Sequence, residues 1–139
     1  MAVGRSPHEA ILARLSMGKK HSPKFLAIVN AARNDILECE PGEFRGMIED
    51  DESLVVIDVR ERHEYEAGHL VDSIHIGKGV LERDIEKHDL GDEQRIVLYC
   101  GGGFRSAIAA KSLKQMGYSN VYSLWGGWRG ILAEGLETE

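Results

Sequence analysis

Ile96-Val97-Leu98-Tyr99-Cys100-Gly101-Gly102-Gly103-Phe104-Arg105-Ser106 joins an apolar run, a glycine loop and a helix start in one stretch. Its first four residues are a continuous apolar run, the pattern of a strand buried on both faces of a parallel sheet. Over residues 106–116, Ala109, Leu113 and Met116 recur at helical spacing, and Gly117 stands where that helix should end. A strand that passes through a glycine loop straight into a helix is half of a βαβ unit. In such sheets ligands bind outside the carboxyl ends of the strands, which is where Cys100 falls.

Working outward, residues 54–57 form a second buried-strand run with Asp58 at its end, and residues 121–124 form another. Residues 36–39 make a short strand candidate, followed by Pro41 at a helix start and by Phe44, Met47 and Ile48 at helical spacing. Leu81 and Ile85 mark a short amphipathic helix after Gly79. This alternation predicts an α/β fold with a mostly parallel central sheet and helices on both faces. Residues 1–34 read as an N-terminal helical extension, with Ile11, Leu12 and Leu15 on one stripe and Pro23 opening a second helix through Ala32. The expected division is therefore an extension, 1–34, and one domain, 35–139.

Composition narrows the function. At 139 residues, 42% apolar and 29% charged, the chain has the balance of one globular domain. The net charge of −6 argues against a nucleic-acid partner, which calls for a cationic face. No apolar stretch approaches the roughly 20 residues of a membrane span, and MAVGRSPHEAILARLSMGKK lacks the unbroken apolar centre of a secretory signal. A cytoplasmic location without membrane contact is the expectation. Cys39 and Cys100, in neither a CxxC nor a metal-binding spacing, are expected to be reduced thiols.

Cys100 is the candidate nucleophile. Gly101, Gly102 and Gly103 allow successive amides to converge on one centre as an anion nest, the helix that follows adds partial positive charge, and Arg105 adds a full one. These features favour the thiolate and outweigh the bland alternative, a cysteine buried as a small hydrophobe. A nucleotide cradle is the weaker reading, since neither GxxxxGK[ST] nor GxGxxG is present.

Several separate pieces then resemble the rhodanese family over residues 35–132. Val56-Ile57-Asp58-Val59-Arg60 with Glu64-Tyr65 and Gly68-His69-Leu70 is similar to its first signature, and Leu98-Tyr99-Cys100 through Arg105-Ser106 to its active loop. Gly117-Tyr118 through Val121, with Gly126-Gly127, is similar to its closing segment. The resemblance implies a persulfide on Cys100, substrate binding by Gly101, Gly102, Gly103, Phe104 and Arg105, and support from Asp58, Arg60 and Ser106. The implied partners are a small anionic sulfur donor such as thiosulfate and a cyanide or thiol acceptor, with a protein acceptor as a further possibility. No cofactor or metal is implied. A persulfide relay module with negligible thiosulfate turnover is the alternative. Asp72-Ser73 and Gly77 depart from the family's usual glycine, alanine and proline, which bears on the acceptor. Four residues separate Cys100 from Arg105, one fewer than in phosphatase and arsenate-reductase relatives. At about 3.6 Å of reach per residue, the shorter loop suits a single sulfur better than a tetrahedral oxyanion. Tyr99 also stands where such phosphatases commonly carry histidine.

For the remaining candidates the structural role is the expectation. Asp58 and Arg60 read as a buried ion pair that shapes adjacent loops. His63, His69 and His75 recur every six residues without a recognised ligand set, so His69 reads as a hydrogen-bonding residue. Trp125 and Trp128 are placed in a turn, either walling the pocket or packing in the core. Phe104 would restrict the acceptor or anchor the loop, Cys39 reads as buried, and Glu49-Asp50-Asp51-Glu52 as a solvated turn.

Overall fold

The computed structural model describes residues 21–139. Among them, five strands form one all-parallel sheet in the order β1-β5-β4-β2-β3, comprising β1 (Leu37–Cys39), β2 (Val55–Asp58), β3 (Ile74–His75), β4 (Ile96–Tyr99) and β5 (Val121–Leu124). Six α-helices accompany them: α1 (Pro23–Arg33), α2 (Pro41–Asp50), α3 (Arg62–Ala67), α4 (Leu81–Asp84), α5 (Phe104–Gln115) and α6 (Gly127–Glu134). The Ile11, Leu12 and Leu15 stripe lies outside the described residues.

Strand alternation sorts the core into two layers. Ile96, Leu98 and Cys100 pack with Ile57, Val59, Leu81, Ala109 and Leu113 on the α4/α5 face. Val97 and Tyr99 pack with Cys39, Phe44, Met47, Val56 and Ile131 on the α2/α6 face. Val97 and Leu98, pointing opposite ways, are both fully buried, which explains why β4 reads as an unbroken apolar run. Cys100, next along the chain, faces α5.

Local chemistry sets the helix ends. Ser22 caps α1 through its Oγ, which accepts from the Phe25 amide at 3.3 Å, and Pro23 supplies the preset φ at the first turn. Glu40 and Glu43 form a capping box on α2. α5 starts two residues earlier than its apolar stripe suggests, because Gly103 at φ +106° turns the chain directly into it. It ends at Gly117, where the Tyr118 amide reaches back to the Leu113 carbonyl. α1 lies along α5, burying Val29 and Ala32 against Ala107. Among the described residues no helix is long and apolar enough to cross a membrane.

Candidate active site

Cys100 lies just past β4, on the short path into α5, and its residue is 1% exposed. Its Sγ accepts from the amides of Gly103 at 3.2 Å and Ser106 at 3.4 Å, and its thiol points to Ser106 Oγ at 3.5 Å. Ser106 Oγ is held in turn by Ser123 Oγ of β5 at 2.8 Å, with both serines fully buried. Two amides at a helix start and one hydroxyl thus converge on one sulfur, which is a cradle for negative charge.

The loop's opposite side is tied down by α6. The Gly126, Trp128 and Arg129 amides donate to the carbonyls of Gly102 (3.0 Å), Cys100 (2.7 Å) and Gly101 (3.3 Å) respectively. Two glycines make this approach possible. Gly127, at φ +50°, passes so close that a Cβ there would overlap the Cys100 carbonyl, and a Cβ on Gly103 would meet Trp125 Cα at 3.1 Å. With its carbonyls engaged by α6, the loop keeps its amide edge for the sulfur.

A cleft of about 450 Å³ opens over the sulfur, lined by Cys100, Gly101, Gly102, Phe104, Arg105, Arg129, Glu64, His21 and Phe25. Arg105 is clamped by Glu64 of α3 in a two-pronged ion pair, Nη1–Oε1 2.8 Å and Nη2–Oε2 3.1 Å. That pair, more than any other contact, holds the Glu64 carboxyl down at about 2. The single positive charge expected from Arg105 is therefore already shared with a carboxylate. Arg129 brings a second guanidinium, whose Nη1 would lie 3.1 Å from a Cβ on Gly102.

A profile of the Rhodanese-like domain matches residues 40–134, about two thirds of the chain. The chain belongs to the rhodanese-like domain family. It is 30% identical to the polysulfide-sulfur transferase homodimer of Wolinella succinogenes, covering 88% of this chain and 92% of that one, with a TM-score of 0.72. It is 35% identical over 75 residues to thiosulfate sulfurtransferase GlpE of Coxiella burnetii, 54% of this chain and 68% of that protein. It is also 35% identical over 86 residues to the putative sulfur carrier protein YrkF of Bacillus subtilis, 62% of this chain. The chain spans less than half of that last relative, 45% of its length. Rhodanese-like relatives of this chain are thus named as sulfurtransferases or sulfur carriers.

Within this rhodanese-like domain the loop residues meet around one sulfur, while other candidates stand apart from it. Asp58 and Arg60 form a buried pair, 2.8 Å apart with side chains 0% and 4% exposed, behind the cleft rather than in its lining. Arg60 also donates to the Gly68 carbonyl at 2.6 Å and lies 4.7 Å from the Trp128 ring, which ties β2 to the α3 turn and to α6. The aromatic wall is not made by Trp125 and Trp128. His21, Phe25 and Phe104 form it, and Trp125 backs Phe104 at 5.4 Å with the Arg33 guanidinium 3.8 Å from its ring.

Tyr99 is buried on the α2/α6 face and accepts from the Leu70 amide at 3.1 Å. Cys39 lies on that same face, away from Cys100, and burial with Glu43 and Glu38 nearby pushes its thiol up to about 12. His69 stacks on Tyr65 at 3.7 Å and bonds its carbonyl through Nδ1, while His75 bonds the Arg60 carbonyl. Among the described residues no group of three or more His, Cys, Asp or Glu side chains is arranged to hold a metal ion. Sequence reasoning assigned no site role to Glu64, Arg129, Ser123, His21 or Phe25. Ser123 alone carried a local signal, a small polar residue inside an apolar strand.

Proposed function

We propose that the protein is a sulfurtransferase that carries a sulfane sulfur as a persulfide on Cys100, taken from thiosulfate or a related anionic donor and passed to cyanide or a thiol. The observation that carries this reading is the placement of Cys100 Sγ against the Gly103 and Ser106 amides and Ser106 Oγ. The thiolate attacks the outer sulfur of the donor. A new S–S bond forms, the donor's own S–S bond breaks, and sulfite departs with the electron pair. The loop amides hold the charge left on the persulfide, and Arg105 and Arg129 attract the dianion to the cleft. An acceptor then attacks the outer sulfur and returns the electron pair to Sγ.

The donor class includes polysulfide, the substrate named for the Wolinella relative. A chain of polarisable sulfur atoms suits a wall of His21, Phe25 and Phe104. A persulfide relay, the role suggested by the Bacillus relative's name, is the second reading. A phosphatase or arsenate reductase is disfavoured by the four-residue spacing between Cys100 and Arg105. The free thiols at Cys39 and Cys100 suit the cytoplasmic setting expected from the sequence.

The test is thiosulfate:cyanide sulfur transfer by the wild type and Cys100→Ser, with intact mass recorded after thiosulfate. Turnover and one added sulfur are expected, and both should vanish in the variant. An added sulfur without turnover moves the assignment to the relay. Absence of the added sulfur with thiosulfate and with polysulfide alike would sink the persulfide reading.

A further inference from the structure

His21 lies outside the stretch matched to the family, yet it lines the cleft over Cys100. Its position has a clear origin. α1 docks along α5 through Val29 and Ala32, and α5 begins at the active loop, so the residue just before the Ser22 cap is carried to the mouth of the site. There the His21 ring packs 4.4 Å from Phe104 and 5.3 Å from Phe25.

The two halves of sulfur transfer make different demands. Loading from thiosulfate draws no proton from an incoming acceptor: in the reading above the Cys100 thiolate is the attacking species, and sulfite leaves as an anion. Discharge to a thiol does, because a free thiol with a pKa near 8.5 arrives at neutral pH still protonated. Among the described residues, the ionisable groups around the cleft come from four elements besides the His21 segment itself. Glu64 of α3 is held as a carboxylate by Arg105, which makes it a poor base. Arg105 of α5 and Arg129 of α6 are permanently charged, and Cys100, after β4, carries the sulfur. On α1 itself Lys24 is exposed, and Arg33 lies over Trp125 in an ion pair with Glu38. An imidazole is the side chain suited to take a proton near neutrality.

We propose that His21 is the general base for thiol acceptors, a role that rests on the persulfide reading above. As the acceptor sulfur attacks the outer sulfur of the Cys100 persulfide, its proton passes to the imidazole. A new S–S bond forms, and the bond from Sγ to the outer sulfur breaks. The electron pair goes to Sγ, which returns to the amide cradle as thiolate. The acceptor leaves as a persulfide, and the imidazolium gives its proton to that product or to water.

The experiment uses the full chain, loaded with thiosulfate and followed by intact mass, then discharged in a single turnover to 2-mercaptoethanol or to sulfite across a pH series. His21→Phe keeps a ring against Phe104 and removes the base, and His21→Gln removes the ring. Each variant is loaded to completion, verified by intact mass, before discharge is timed, so any change the altered wall makes to donor binding is kept out of the comparison. Both should discharge to the thiol at least about tenfold more slowly at pH 7, and approach the wild-type rate near pH 10, where the thiol ionises unaided. Sulfite gives up no proton from its attacking sulfur and serves as the internal reference: the ratio of thiol to sulfite discharge at pH 7 should fall at least about tenfold in both variants. A His21→Phe variant as fast as wild type with the thiol at pH 7 would overturn the proposal and leave His21 as an aromatic wall. An equal loss for thiol and sulfite at every pH would overturn it too, in favour of a packing role. A wild type that takes up no sulfur would overturn the persulfide reading itself, and the base with it.

Discussion

Glu64 and Arg105 stand 41 positions apart in sequence, yet their ion pair shapes the rim of the cleft. Because the folded carboxyl sits at about 2 against an ordinary 4.5, the pair contributes stability that is fully present above about pH 4.5 and is lost as pH falls toward 2. The melting temperatures of wild type and Glu64→Gln should therefore differ most near neutrality and converge as the medium is acidified through that window. A difference that stays constant through it would mean the pair contributes nothing to folding through its charge. At this scale the cysteine loop was legible in the sequence, since a thiol, three glycines and an arginine fall within six residues there. Its partners were not. Ser123, Glu64, Arg129 and His21 reach the site from four other segments, and even the polar Ser123 inside its apolar strand does not announce which distant side chain it will meet.

At the scale of elements, β4 was readable because burial on both faces imposes an unbroken apolar run, and β2 and β5 because mostly apolar runs remain around Asp58 and Ser123. β3 has two residues and follows polar Asp72-Ser73, too little for any periodicity to register. α3 was missed because none of its residues is buried: it is held by the Glu61–Glu64 capping box instead of an apolar stripe. α6 opens on Gly126-Gly127, which reads as a turn, and its role emerges only from its contact with the active loop. That contact predicts a sharp response to Gly127→Ala. Left-handed backbone alone costs an alanine about 1 to 2 kcal/mol. The overlap with the Cys100 carbonyl adds to this, so a total loss of about 2 kcal/mol or more is expected. Urea unfolding should show it, together with reduced sulfur loading. Unchanged loading at full stability would mean that the loop does not need α6 in place.

For the whole molecule, the arrangement of helices on both faces of an all-parallel sheet follows from the alternation of strand and helix in the sequence. How α1 relates to it did not. Pro23 marked the start of that helix, but its apolar residues do not say which surface they meet. In the structure Val29 is fully buried against α5, outside the two layers that sandwich the sheet. Val29→Asp should therefore release α1 at a cost on the order of 3 kcal/mol while the sheet stays folded. Limited proteolysis should then cut within residues 21–34 and spare the rest, whereas loss of the entire fold would show α1 to be integral to the core. The hold of α6 on the active loop has a consequence in time as well as in space. Synthesis delivers Cys100 well before Gly126, Trp128 and Arg129, whose amides fasten the carbonyls around it. A nascent chain halted between those points exposes an ordinary cysteine, and the ribosome must release both ends of the cradle before the thiol acquires its chemistry. Alkylation of chains stalled before residue 129, compared with chains released from the ribosome, would register that switch.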